Sequence, residues 1–189
     1  MATRTHAREA VVELLYAYSS GNLDIRKFAP ALLSQKKIKN MQAEFALNLF
    51  DEIINNIEQI DCIIKESLQS WDFKRLGMVD KCILRLGVYE TIYTNLDIPI
   101  IINEAIEISK ILGSDNTPRF VNGILDSIGK LKREAKAKQK RNKAIDCKAY
   151  KINSNINLVE SKNNDLKNAS SLDIKIVSDT KIESKGENK

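Results

Sequence analysis

Glycine and proline are scarce in this 189-residue chain, at 7 and 3, which argues against an all-β fold with a turn every few residues. No stretch approaches the roughly 18 consecutive apolar residues that a membrane-spanning helix needs. The opening MATRTHAREA lacks the apolar core of a secretory signal, so a cytoplasmic protein is expected. The single histidine, His6, excludes a multi-histidine metal site. Three cysteines, Cys62, Cys82 and Cys147, form no CxxC pair, and the first two fall in apolar helical patterns, where a thiol reads as a small hydrophobe. No phosphate-binding loop, dinucleotide fingerprint, nucleophile elbow or HExxH is found. Neither an enzyme nor a cofactor is expected.

What is present is charge and helical periodicity. The net charge of +5 is unevenly spread. Residues 133–189 hold 14 Lys+Arg against 8 Asp+Glu, and subtracting these from the whole-chain 30 and 25 leaves 16 against 17 in residues 1–132. The body is therefore nearly neutral, and nucleic-acid binding by it must rest on local patches. Residues 148–189 are rich in Lys, Asn, Ser and Asp and lack aromatics after Tyr150. Such a segment buries too little apolar surface to offset its ordering entropy. A domain over 1–132 with a basic, then disordered, tail over 133–189 is expected, and 132–143 reads as a charged extension of the last helix.

Seven helices follow from apolar spacing. Residues 5–19 carry Ala7, Ala10, Val11, Leu14, Leu15 and Tyr18 on one stripe. A short helix over 24–33 presents Ile25, Phe28, Ala29, Leu32 and Leu33, with Pro30 as a kink or divider. The third, over 39–58, points Met41, Phe45, Leu49, Ile53 and Ile57 inward, and Asp61 reads as the N-cap of a fourth that closes near Trp71. Residues 75–94 are apolar on most sides, which predicts a central, buried helix. Glu90 falls among its apolar residues, and a structural ion pair is expected to neutralise it. The sixth helix starts at Pro99 and is capped by Gly113. The seventh has Thr117 as N-cap and Pro118 at its first position. An all-α fold results.

Two places combine cations with aromatic rings. Arg8, Val12 and Tyr16 lie at i, i+4 and i+8, off the apolar stripe of the first helix. This ridge fits either single-stranded RNA, through phosphate contact and base stacking, or packing against a neighbouring helix. Arg119 and Phe120 open the seventh helix, where free N–H groups and the helix dipole favour a phosphate. Within that helix Asn122-Gly123, ordinarily a hairpin pair, interrupts the pattern at a cost of about 1 kcal/mol for the glycine. Gly123 lies opposite the apolar stripe, so its missing side chain admits either a packed helix or a ligand backbone.

Three blocks carry a family resemblance: ARE followed by LLY at 14–16, ILRLGVYE at 83–90, and INEAIEISKILG at 102–113 leading into FVNGILD at 120–126. Together they resemble the NusB family of bacterial transcription antitermination factors over about residues 4–130. The resemblance implies seven helices in two small packed bundles. It implies binding of boxA RNA jointly with NusE, a small-subunit ribosomal protein, so that RNA polymerase reads through terminators, notably in ribosomal RNA operons. It tips the Arg8–Tyr16 ridge towards RNA and maps the family's arginine-rich start onto Arg4, His6 and Arg8. The family usually has several consecutive arginines there, whereas TRTHARE keeps two. Asn116 stands where an acid is common, which removes a negative charge beside the expected RNA surface. The expected RNA-binding residues are thus Arg4, His6, Arg8, Tyr16, Asn116, Arg119 and Phe120, with NusE on the surface side of residues 74–95. The alternative is a helical interaction module whose exposed aromatics form a homodimer.

Overall fold

The computed structural model describes residues 2–68 and 72–141. Seven α-helices are present among them: α1 (Arg4–Ser19), α2 (Ile25–Gln35), α3 (Met41–Asn55), α4 (Ile57–Ser67), α5 (Met78–Tyr93), α6 (Ile98–Leu112) and α7 (Thr117–Arg141). No strand occurs among the described residues. A 3-10 turn, Phe73–Arg75, precedes α5. Trp71 and the expected disordered segment beyond residue 141 lie outside the described residues. The seventh helix runs past the expected domain limit at 132, as the charged extension predicted.

The helices form two groups. In the first, α1 packs on α2 and α3; in the second, α4, α6 and α7 surround α5. The groups join mainly through α1 against α5. Helix α5 is central for the expected reason: residues 82–88 are all buried. It also allows unusually close approach, because a Cβ at Gly87 would lie 2.6 Å from Leu125 Cδ1 on α7. The predicted stripe of α1 is core, with Ala7, Ala10, Val11, Leu14 and Leu15 buried.

The structure corrects the expectations at Asp61, Thr117, Met41, Phe28 and Cys62, and leaves the helix at Pro30 undivided. Asp61 is inside α4 rather than its cap, since α3 and α4 are separated by Asn56 alone, whose Nδ2 donates to the Glu52 carbonyl at 2.7 Å. An Asn side chain that donates to a carbonyl one turn back competes with the helical ladder at that point. Thr117 is likewise the first residue of α7, not its cap: its buried hydroxyl donates to Asp80 Oδ1 at 2.7 Å and accepts from the Ser114 N–H at 2.9 Å. Pro30 sits within an unbroken α2. Met41 and Phe28, expected inward, are exposed at 79% and 60%, and Cys62 is exposed as well.

Polar ties hold the groups in register. Arg85 on α5 makes a bidentate pair with Asp61 on α4 (2.7 and 2.8 Å) and donates to Ser19 Oγ on α1 at 2.8 Å. Arg26 and Asp51 pair α2 with α3 at 2.6 and 2.8 Å. The buried Lys132 ammonium donates to the Thr91 carbonyl and so ties α7 to the end of α5.

Candidate nucleic-acid interface

The start of α1 is built by a local cap. Thr3 Oγ1 accepts from the His6 amide at 3.3 Å, and His6 Nδ1 accepts from the Thr3 amide at 3.2 Å. This is a capping box with histidine in the place usually held by Glu or Gln. His6 therefore has a structural duty as well as an exposed ring. One turn on, Arg8 turns inward. Its Nε lies 2.9 Å from Glu90 Oε1, its Nη2 2.8 Å from the same oxygen, and its Nη1 3.3 Å from Glu104 Oε2. Thr5 Oγ1 also donates to Glu104, at 3.3 Å.

Arg8 is thus corrected as a member of an exposed ridge. It is 3% exposed and Val12 is 1% exposed, whereas Tyr16 is 46% exposed. The physical reason is Glu90: a carboxylate on the buried face of α5 needs a cation, and Arg8 is the side chain that reaches it. Burial raises the Glu90 pKa, and the hydrogen bonds from Arg8 oppose that rise. The ion pair expected for Glu90 is present, and for Arg8 and Val12 the helix-packing alternative holds, though spacing within α1 did not name Glu90 as the partner. Helical spacing places residues on a wheel and does not say how many neighbours surround it.

Arg4 remains exposed. Its guanidinium carbon lies 5.4 Å from the centroid of the Phe45 ring, and that of Arg8 lies 5.3 Å from the same ring. The ring on α3 thus orients Arg4 by cation–π attraction while no described carboxylate pairs with it.

At the start of α7, Asn116 and Arg119 are exposed and Phe120 is half-buried against the core. The Phe120 amide bonds the Asn116 carbonyl at 3.1 Å, closing the first turn. The bond from Thr117 to Asp80 fixes this turn on the start of α5. Gly123 is exposed, and a Cβ there would meet nothing within 4 Å. Close helix packing is therefore not its cause in this structure.

The two helix starts do not pack directly as an extended pair; α1 and α7 both rest on α5 and α6. Their fixing points on α5, Glu90 for α1 and Asp80 for α7, are ten positions apart, about 15 Å along a helix. A surface spanning both suits an extended ligand rather than a small molecule. Within the range expected to face NusE, residues 82–88 are buried, while Lys74, Arg75, Gly77 and Asn95 are exposed. Helix α6 adds two exposed apolar side chains, Ile100 at 47% and Ile111 at 61%.

Fold and site together define an all-helical protein with cations and aromatic rings on two helix starts. The NusB family model matches residues 5–130. The transcription antitermination protein NusB of Wolinella succinogenes is 58% identical over 128 residues, covering 68% of this chain and 95% of that protein. The protein of the same name from Helicobacter acinonychis is 56% identical over 130 residues, 69% of this chain and 94% of its own. Among solved structures, T. maritima NusB is 33% identical, with a TM-score of 0.61, over 68% of this chain and 92% of its own. A chain of the crystal structure of antitermination factors NusB and NusE in complex with dsRNA is 31% identical, with a TM-score of 0.61, over 67% of this chain and 96% of its own. The chain belongs to the NusB family.

Proposed function

We propose that this protein is an antitermination factor that binds boxA RNA jointly with NusE, and that the complex lets RNA polymerase read through terminators, notably in ribosomal RNA operons. The observation that carries the reading is the partition of cations on a NusB-family fold. Arg8, Arg26 and Arg85 are held by carboxylates and serve the fold, while Arg4 and Arg119, at the two helix starts, have no described carboxylate partner. Unpaired cations at the positive end of a helix dipole suit phosphates. Tyr16 and Phe120 offer ring surface for bases, and His6 and Asn116 complete the polar edge. Arg8 acts indirectly, by fixing the start of α1 on α5 and α6. NusE is assigned to the α6 strip containing Ile100 and Ile111. A solved relative described as NusB with NusE and dsRNA supports both partners.

The test is Arg119→Ala. Its affinity for boxA RNA is expected to fall severalfold while the far-ultraviolet circular dichroism and melting temperature stay at parental values. Parental affinity in this variant removes the α7 start from the site.

A further inference from the structure

Outside both helix starts, two ammonium groups lie over the Phe73 ring and two further cations, Lys74 and Arg75, stand on the turn that carries it. The turn Phe73–Arg75 is set by Asp72, whose Oδ1 accepts from the Lys74 amide at 2.9 Å. It leaves Phe73 half-buried and Lys74 and Arg75 exposed. Lys65 from α4 and Lys81 from α5 place their ammonium groups 5.1 and 5.2 Å from the centroid of the Phe73 ring. Lys81 Nζ is also 3.5 Å from the Lys74 carbonyl. No described carboxylate lies within ion-pair distance of any of the four. The acids of this region are engaged elsewhere: Asp61 with Arg85, Asp80 with Thr117, and Glu66 as acceptor from Cys62 Sγ at 3.8 Å. Asp72, held by the Lys74 amide, is the one acid in the turn, and it forms no ion pair with the four cations; the excess of like charge repels, and an anion relieves that repulsion.

We propose that Lys65, Lys74, Arg75 and Lys81 around Phe73 form a further phosphate-binding surface, which holds single-stranded RNA flanking the segment gripped by the helix starts. This rests on the RNA-binding reading above and extends it. Continuity with the α7 start favours RNA: Asp80, the neighbour of Lys81, holds Thr117, two residues before Arg119. The make-up of the patch favours it too. None of the large hydrophobic side chains exposed elsewhere belongs to it, and both ammonium groups lie close to its ring, so it offers charge rather than the apolar centre typical of a protein interface. Sequence-independent phosphate contact is the chemistry it fits.

The experiment compares the full-length parent with Lys65→Gln/Lys74→Gln/Arg75→Gln/Lys81→Gln, and with Lys74→Glu/Arg75→Glu, which alters only exposed side chains. Each is titrated with a minimal boxA RNA, with an unrelated single strand of about 30 nucleotides and with polyglutamate, over a range of salt. Both variants are expected to bind the unrelated strand at least tenfold more weakly. For the fourfold variant the slope of log affinity against log salt flattens by about 3, at roughly 0.7 per lost phosphate contact, while minimal boxA binding is retained. Parental affinity and slope on the unrelated strand overturn the proposal. So does loss of polyglutamate binding with RNA binding intact, which assigns the patch to an acidic polypeptide. A parent without preference for boxA, whose unrelated-strand binding still falls on substitution, removes the proposed function and leaves the patch standing.

Discussion

Arg8 is the residue on which fold and site depend together. Its guanidinium, 3% exposed, answers one carboxylate on α5 and another on α6. Removing one partner of a buried pair strands the other in a low-dielectric interior at a cost of about 3–5 kcal/mol. Arg8→Ala is therefore expected to lower the free energy of unfolding in urea by that amount. Its RNA affinity, measured where it is still folded, should fall less than that of Arg119→Ala. A stable Arg8→Ala with lost RNA binding instead makes Arg8 a direct ligand. Cys82 supplies a second test at this scale. Burial pushes its thiol from 9.0 up to about 11. Between those values the unfolded chain releases a proton that the folded chain keeps, so stability falls as pH rises from about 9 to 11 and shows no slope from this thiol below that window. Tyr89, pushed up to about 12 by burial, adds a fall of the same sign above 10. Cys82→Ala should flatten the loss between pH 9 and 11 in urea midpoints, leaving only the other groups' share.

At the scale of the element, α7 combines a packing face and an exposed face with different demands. Val121, Leu125 and Ile128 are buried, while Asn122 and Gly123 face outward with room around them. Gly123→Ala restores helix propensity worth about 1 kcal/mol, which for a domain of this size raises the melting temperature by roughly 2–4 °C. The same methyl intrudes where a ligand backbone is expected, so RNA affinity should drop as stability rises. Unchanged affinity in a more stable variant would show that Gly123 has no part in the site. Helices as elements were largely legible in the sequence, because their stripes repeat every three to four residues and Gly and Pro punctuate them. Boundaries shifted where tertiary bonds competed with local signals: Asp61 reads as a cap until Arg85 is placed beside it, and Thr117 until Asp80 is. Of the candidate site, the exposure of Arg4, Tyr16, Asn116 and Arg119 agrees with the surface role expected of them. The inward pairing of Arg8 and the Phe73 cluster were not legible. Both depend on neighbours distant in sequence, Glu90 for the first and Lys65 with Lys81 for the second, and no periodicity within one helix encodes such meetings.

For the molecule as a whole, charge distribution decides how RNA is met. The first 132 residues are close to neutral, with 16 Lys+Arg against 17 Asp+Glu after the remaining 14 and 8 are subtracted from the whole-chain 30 and 25. A neutral body gives little long-range attraction for a polyanion, so in the proposed reading affinity comes from local unpaired cations, at the helix starts and around Phe73, and from a partner that adds its own contacts. With only Arg4 and Arg8 in the first turns, and Arg8 turned inward, RNA binding by this protein alone should be weak, and pairing with NusE should strengthen it. The central claim is joint recognition. It is tested by titrating boxA RNA and a scrambled RNA of the same composition into the protein with and without NusE. A preference for boxA that is small alone and at least tenfold with NusE present is expected, whereas equal affinity for the two RNAs in both mixtures contradicts joint recognition.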